Sequence, residues 1–154
     1  MNIKIEDPLF SGPSGYVIKN EQGQQIYSTH RKFLSKDLVI TTMQGQQVAI
    51  VRKLRRNMHA ILINGQEIAV VRKEWGKFII EKLNWYIPVG IGDTIFYVND
   101  SQGKELATLN QLYDSSGDYQ VTLNDDLDPL LIICITLAVD TCNGMRKLLA
   151  ASDD

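Results

Sequence analysis

Through the first hundred residues, short apolar runs alternate with polar stretches centred on glycine. Asn20-Glu-Gln-Gly23-Gln-Gln-Ile26-Tyr27 recurs as Thr42-Met-Gln-Gly45-Gln-Gln-Val48-Ala49, then as Ile63-Asn-Gly65-Gln-Glu-Ile68-Ala69 and Asp100-Ser-Gln-Gly103-Lys-Glu-Leu106-Ala107. Each copy predicts a tight turn between two strands, because glycine accepts the positive φ that hairpin turns demand, and Asn64-Gly65 is the strongest such signal. The glycines are 22, 20 and 38 residues apart. The last gap is close to two periods, with room for another turn around Leu83-Asn84-Trp85-Tyr86, Gly90 and Gly92. Runs rich in β-branched and aromatic residues at 16–18, 38–41, 48–51, 60–63, 68–71, 78–80, 94–98 and 119–123 read as strands. In the last of them Tyr119, Val121 and Leu123 alternate with Gln120 and Thr122, the period of a half-buried strand. Many short strands joined by hairpins make an antiparallel meander, which must curl or close to hide its edges.

The pattern then changes. Asn124-Asp125-Asp126-Leu127-Asp128-Pro129 is an acidic turn that ends like a helix start. Asp128 is placed to cap free backbone N–H groups, and Pro129 loses nothing at the first helical position. From Leu130 to Val139 only Thr136 interrupts the apolar side chains, and Asn143-Gly144 offers a C-terminal stop. Such a run covers every face of a helix, whereas a helix lying on a sheet carries a polar stripe. A helix over about 129–143, about 22 Å long at 1.5 Å per residue, is therefore expected inside a closed β-barrel. The ten-residue run is far short of the ~20 residues of a membrane span, so an integral membrane protein is not expected.

Composition narrows the reading further. The 154 residues, 44% hydrophobic and 22% charged, fit a single globular domain over 1–154. Two cysteines, Cys134 and Cys142, cannot form the framework of a small secreted scaffold. Eight positions apart on one helix, they lie about 12 Å from each other, beyond disulfide reach, and are expected as core-filling thiols. No charged-then-apolar leader opens the chain, since Met1–Glu6 alternates polar and apolar residues, so a cytoplasmic location is expected. The net charge of −2 hides an asymmetry: residues 1–90 carry 13 Lys+Arg against 7 Asp+Glu, and residues 91–154 carry 3 against 11.

At this point the residues match a known family. From about Tyr16 to Asp140 the chain resembles the LURP-one-related proteins, which share a fold with the tubby C-terminal domain and the phospholipid scramblases. The resemblance is carried by the paired elements Gly23…Ile26-Tyr27, Gly45…Val48-Ala49, Gly65…Ile68-Ala69 and Gly103…Leu106-Ala107. Trp85 with Gly92-Asp93, Tyr119-x-Val121 and the closing Asp128…Leu130-Leu131…Asp140 also match. It implies a mostly β fold: a closed antiparallel barrel of about twelve strands enclosing the C-terminal helix. Its functional implications are coarser, since family members are mostly of undefined molecular function. Tubby domains look like phosphoinositide-binding modules and scramblases are linked to lipid movement and calcium, but no tubby lipid-binding residue is matched here.

The sharpest charged feature is Arg52-Lys53-Leu54-Arg55-Arg56, with Arg72-Lys73 and Lys77 after the next hairpin and Arg31-Lys32 and Lys36 before it. If these segments share one rim, an anionic surface is their natural partner, with Trp75 at the interface; otherwise they are solubilising charges at strand ends. Nucleic acid is an unexpected partner for a chain of pI about 5.7. No phosphate-cradling glycine loop is present, and the two histidines, His30 and His59, sit in no triad or metal-ligand spacing and read as surface residues. The run 124–128 lacks the glycine and glutamate of a calcium loop, and Asp114-Ser-Ser-Gly117-Asp118 reads as a hairpin turn. Asp140 reads as a polar end to the apolar helix near the barrel mouth, the alternative being a buried acid inside the barrel.

The sequence thus points to a non-catalytic binding or scaffold domain without a cofactor. Its expected partner is anionic membrane phospholipid, held peripherally through Arg52, Lys53, Arg55, Arg56, Arg72 and Lys73. The alternatives are a protein–protein adaptor using a barrel rim or edge, and a small-molecule binder or enzyme at a barrel mouth, with Trp85 and Asp93 contributing.

Overall fold

The computed structural model describes residues 1–7, 15–32, 34–35, 37–112 and 117–142. Among them are twelve strands and one helix. The strands are β1 (Asn2–Glu6), β2 (Val17–Lys19), β3 (Gln25–Arg31), β4 (Leu38–Thr42), β5 (Gln47–Arg55) and β6 (Met58–Ile63), then β7 (Gln66–Glu74), β8 (Lys77–Glu81), β9 (Trp85–Pro88), β10 (Ile95–Asn99), β11 (Glu105–Gln111) and β12 (Tyr119–Leu123). The helix α1 is Pro129–Cys142. Every strand pairs antiparallel with its neighbours in sequence, and β1 pairs with β12, so the sheet closes into a barrel. The alternation at Met1–Glu6 is the closing strand: Ile3 stands opposite Val121, and Ile5 opposite both Tyr119 and Ile18. Closure removes both sheet edges, which an open meander of this length would expose.

The turns at Gly23, Gly45 and Gly103 share one construction. In each the glycine N–H donates to the carbonyl three residues earlier, at Asn20, Thr42 and Asp100, at 3.0 Å. Each glycine has a φ of +78° to +87°, and a register shift follows in the paired strands. This is the type I turn with a glycine bulge. Asn20 and Asp100 add a second layer: the side-chain oxygen of each accepts two backbone N–H groups of its own turn, at 2.9–3.0 Å. Asn64-Gly65 is a two-residue turn with positive φ at both positions. The extra turn in the long gap falls at Lys82–Asn84, with positive φ at Lys82 and Asn84, which leaves Trp85 and Tyr86 in β9. These five turns form one rim, where α1 enters. Asp128 Oδ1 accepts the Leu130 N–H at 3.0 Å, with Pro129 at the first helical position as its missing N–H allows.

Residues facing inward from the strands wrap α1, whose residues Leu130–Asp140 are all buried. The hydroxyl of Thr136 donates to the Ile132 carbonyl at 2.8 Å, so the one polar side chain within the apolar run is satisfied in the dry interior. Asn143-Gly144, the expected helix stop, lies outside the described residues, as do residues 113–116 of the expected Asp114–Asp118 turn and Lys36. Asp118 is buried; its Oδ1 accepts the Asp7 N–H at 2.9 Å.

Candidate functional site

The end of the barrel where α1 terminates includes the connections β3–β4, β5–β6, β7–β8 and β9–β10, with those of β1–β2 and β11–β12 completing it. Two backbone bonds tie this rim together. Lys73 N–H donates to the Asn57 carbonyl at 2.8 Å, joining β7 to the β5–β6 turn, and Val89 N–H donates to the Gly76 carbonyl at 2.9 Å, joining the β7–β8 and β9–β10 connections. Among the described residues, the three most exposed large apolar side chains all sit on these connections: Trp75 at 100%, Ile91 at 98% and Leu34 at 88% exposure.

The six candidate cations divide. Arg52 lies on the outer wall with its guanidinium against Asp37, Nη2 to Oδ2 at 3.0 Å and Nε to Oδ1 at 3.2 Å. That hydrogen-bonded pair raises its pKa. Arg72, also on the wall, is held by Glu81 at 3.0 Å and by Glu74, and its pKa is raised by hydrogen bonds first to Glu74 and then to Glu81. Lys53, Arg55, Arg56 and Lys73 instead stand at the rim, and among the described residues none has a carboxylate partner, nor have Arg31, Lys32 or Lys77. Alternation along β5 explains the split. Ala49, Val51 and Lys53 point inward and Arg52 outward, until a bulge between Lys53 and Arg55 shifts the register. Phe78 lies beneath Lys73, whose ammonium is 5.9 Å from the ring centroid.

The interior of this mouth differs from the expectation for histidine. His30 is exposed, but His59 is buried, 3% exposed, because it shares the inward phase of β6 with Ile61 and Ile63. Its Nδ1 lies 3.6 Å from Cys142 Sγ, and its Nε2 has no hydrogen-bond partner among the described residues. Burial, then Lys53 and Arg31, push the imidazole down to about 4. Cys142 is half-buried and packs against the edge of the core, and burial lifts its thiol to about 11 against the opposing pull of Lys73 and Lys53. Cys134 is fully buried, as expected. Both partners of the His59–Cys142 contact are therefore neutral at pH 7. A cavity of about 230 Å³ opens here, lined by Arg31, Leu38, Val51, Lys53, His59 and Thr141.

The buried histidine makes stability depend on pH with a definite sign. Its folded pKa is below its unfolded value of 6.5, so its contribution is complete above pH 6.5 and is lost as pH falls toward 4. At about 1.4 kcal/mol per pKa unit, and allowing for screening at the open mouth, the loss is on the order of 2 kcal/mol. Urea unfolding of the wild type and His59→Gln at pH 7 and pH 4.5 measures it. The variant is expected to lose about 2 kcal/mol less than the wild type; equal losses would show that His59 is not the group responsible.

Two other expectations take different forms. Asp140 is the buried acid of the two readings rather than a polar end to the helix at the mouth. It is 4% exposed and accepts hydrogen bonds from the hydroxyls of Tyr16 and Tyr119, because closure of β1 against β12 brings both tyrosines over the last helical turn. Trp85 and Asp93 do not meet: Trp85 packs against the core beside the Lys82–Asn84 turn, whereas Asp93 is exposed at the opposite rim, accepting the Gly90 N–H. In the acidic run, Asp125 holds the Met1 ammonium at 3.1 Å while Asp128 caps α1.

No described helix is long and apolar enough to cross a membrane. A comparison with solved structures finds an X-ray structure of a protein from Arabidopsis thaliana with a TM-score of 0.67 and 13% identity, covering 90% of this chain and 91% of that one. At that identity the likeness speaks for the fold alone. Comparison with curated proteins finds no match. The family model described as LURP-one-related matches residues 1–140, and with the closed barrel and its threaded helix this chain belongs to the LURP-one-related family.

Proposed function

We propose that this barrel is a non-catalytic module that attaches peripherally to anionic membrane lipid through the rim at the end of α1. One observation carries the reading: fully exposed apolar tips, Trp75 and Ile91, share one rim with Lys53, Arg55, Arg56 and Lys73, cations without carboxylate partners among the described residues. Exposed indole and aliphatic side chains gain by entering a headgroup layer. Each cation near an anionic surface adds about 1 kcal/mol, and the attraction is screened within a Debye length. Arg52 and Arg72 contribute little, because their own carboxylates already neutralise them.

Co-sedimentation with phosphatidylserine-containing vesicles at low and high salt tests the reading. Binding is expected at low salt and release at about 0.5 M, where screening shortens to a few ångströms. Arg55→Glu with Arg56→Glu should weaken binding more than tenfold, since about four units of charge change at roughly 1 kcal/mol each, while Arg52→Gln should leave it unchanged. Trp75→Ser should remove the blue shift of fluorescence on vesicle addition. No binding to any vesicle would overturn the lipid reading and leave the apolar tips as the face of a protein–protein adaptor.

A further inference from the structure

We propose that the cavity inside this mouth is a binding site for a phosphate monoester. It lies beneath the rim, shares only Lys53 with the cations proposed to meet the membrane, and does not depend on membrane attachment. Arg31 comes from the end of β3 and Lys53 from the inward face of β5. Their strands are joined through β4, whose Leu38 pairs with Arg31 on one side and Val51 on the other. The two cations therefore flank an apolar wall of Leu38 and Val51, and all four residues line the 230 Å³ cavity. Neither cation has a carboxylate partner among the described residues, although Arg52, one position from Lys53, is fully paired on the outer wall.

Ligand chemistry follows from this lining. Two cations lining one cavity suit a dianion better than a single carboxylate, which would leave one charge uncompensated. A guanidinium beside an ammonium is a suitable phosphate clamp: the fork fixes orientation and the ammonium acts as a point charge. The volume exceeds what a bare phosphate fills, and Leu38 with Val51 gives a short organic body an apolar surface. A second observation points the same way. His59 lines the same cavity with a buried Nε2 that has no hydrogen-bond partner among the described residues, a deficit that native interiors rarely leave unfilled. Nε2 is itself shielded, so a ligand oxygen would supply the missing partner after a small rotation of the ring. The C-terminal end of α1 bears partial negative charge, so the site needs both cations to hold a dianion.

The two histidines of the chain provide the test, since His59 lines the cavity and His30 is exposed. Glycerol 3-phosphate is titrated at constant ionic strength, with sodium chloride and glycerol as controls, while both imidazole rings are followed by NMR. The expected result is a saturable shift of the His59 resonances with His30 unmoved. The affinity should fall as pH drops below about 6, where a monoester loses its second charge. Arg31→Gln with Lys53→Gln, both at exposed positions, should reduce it at least tenfold. Trp75→Ser with Ile91→Ser should leave it intact. A parallel arm compares vesicles of phosphatidic acid with phosphatidylserine vesicles of equal surface charge. Preference for phosphatidic acid that the Arg31/Lys53 variant abolishes supports the site with a lipid headgroup as its source. A His59 response without vesicle binding supports the site for a soluble ester and removes the membrane reading. Vesicle binding that does not distinguish the two lipids, with His59 silent toward glycerol 3-phosphate, overturns the site and leaves the rim reading standing.

Discussion

A single aspartate in place of Ile133 is expected to leave the chain unfolded at neutral pH and 25 °C. Ile133 is fully buried on a helix whose every face is covered by barrel wall. No rotamer there reaches water, unlike the outward positions of a helix packed on an open sheet. Burying an unpaired carboxylate costs several kcal/mol even after relaxation, and the volume of the isoleucine is lost as well. Together these approach the whole stability of an ordinary domain, about 5–15 kcal/mol. Conservative changes at the same site calibrate the effect: Ile133→Val should cost about 0.5–1.5 kcal/mol and Ile133→Ala about 2–5. Neither barrel nor helix is expected to have a stable form without the other. A fourteen-residue helix that is apolar all round is marginal alone in water, and the empty barrel would expose its entire inner face. Far-ultraviolet circular dichroism, dominated by strands, and near-ultraviolet signals from tyrosines over the helix should therefore melt together in urea. Separate transitions, or a folded Ile133→Asp protein, would contradict this coupling.

The legible part of this architecture was local. Turn chemistry is written within four residues, so Gly23, Gly45, Gly65 and Gly103 announce their hairpins without reference to the rest of the chain. The helix is equally plain, because a run with no polar stripe has no place but an interior. What escaped depends on strand phase and on closure. His59 precedes Ala60-Ile61-Leu62-Ile63, where both faces of the strand are apolar and alternation cannot be read. Its position two residues before Ile61 was the one usable signal. The basic run 52–56 looks continuous in sequence, yet alternation sends Arg52 to the outer wall and Lys53 to the inner one, and a bulge then shifts the register. β1 was legible only as alternation at Met1–Glu6, since its partner β12 lies more than a hundred residues away.

That same closure determines the effect of removing Asp140. Tyr16 enters from just before β2 and Tyr119 from β12, on either side of β1, and their hydroxyls converge on the two oxygens of one buried carboxylate. Burial, followed by the charge of Asp140, raises both phenol pKa values well above 10, so both remain donors across the physiological range. Asp140→Ala withdraws the acceptor from two buried hydroxyls and is expected to cost about 2–6 kcal/mol, about 1–3 for each donor that loses it. Asp140→Asn keeps the shape and one acceptor oxygen, so it should cost about half as much. If the loss comes from stranded hydroxyls, Tyr16→Phe with Tyr119→Phe in the Asp140→Ala background should recover a substantial part of it, a coupling that a double-mutant cycle in urea reads directly. Simple additivity would mean that Asp140 acts through packing alone. Alkaline pH supplies an independent check. An unfolded tyrosine ionises near 10 whereas the folded pair resists, so the stability from this cluster is present below pH 10 and falls as pH rises beyond it. In the protein lacking both phenols that alkaline loss should be smaller, while its acid-side behaviour, which depends on His59 at the same mouth, should be unchanged.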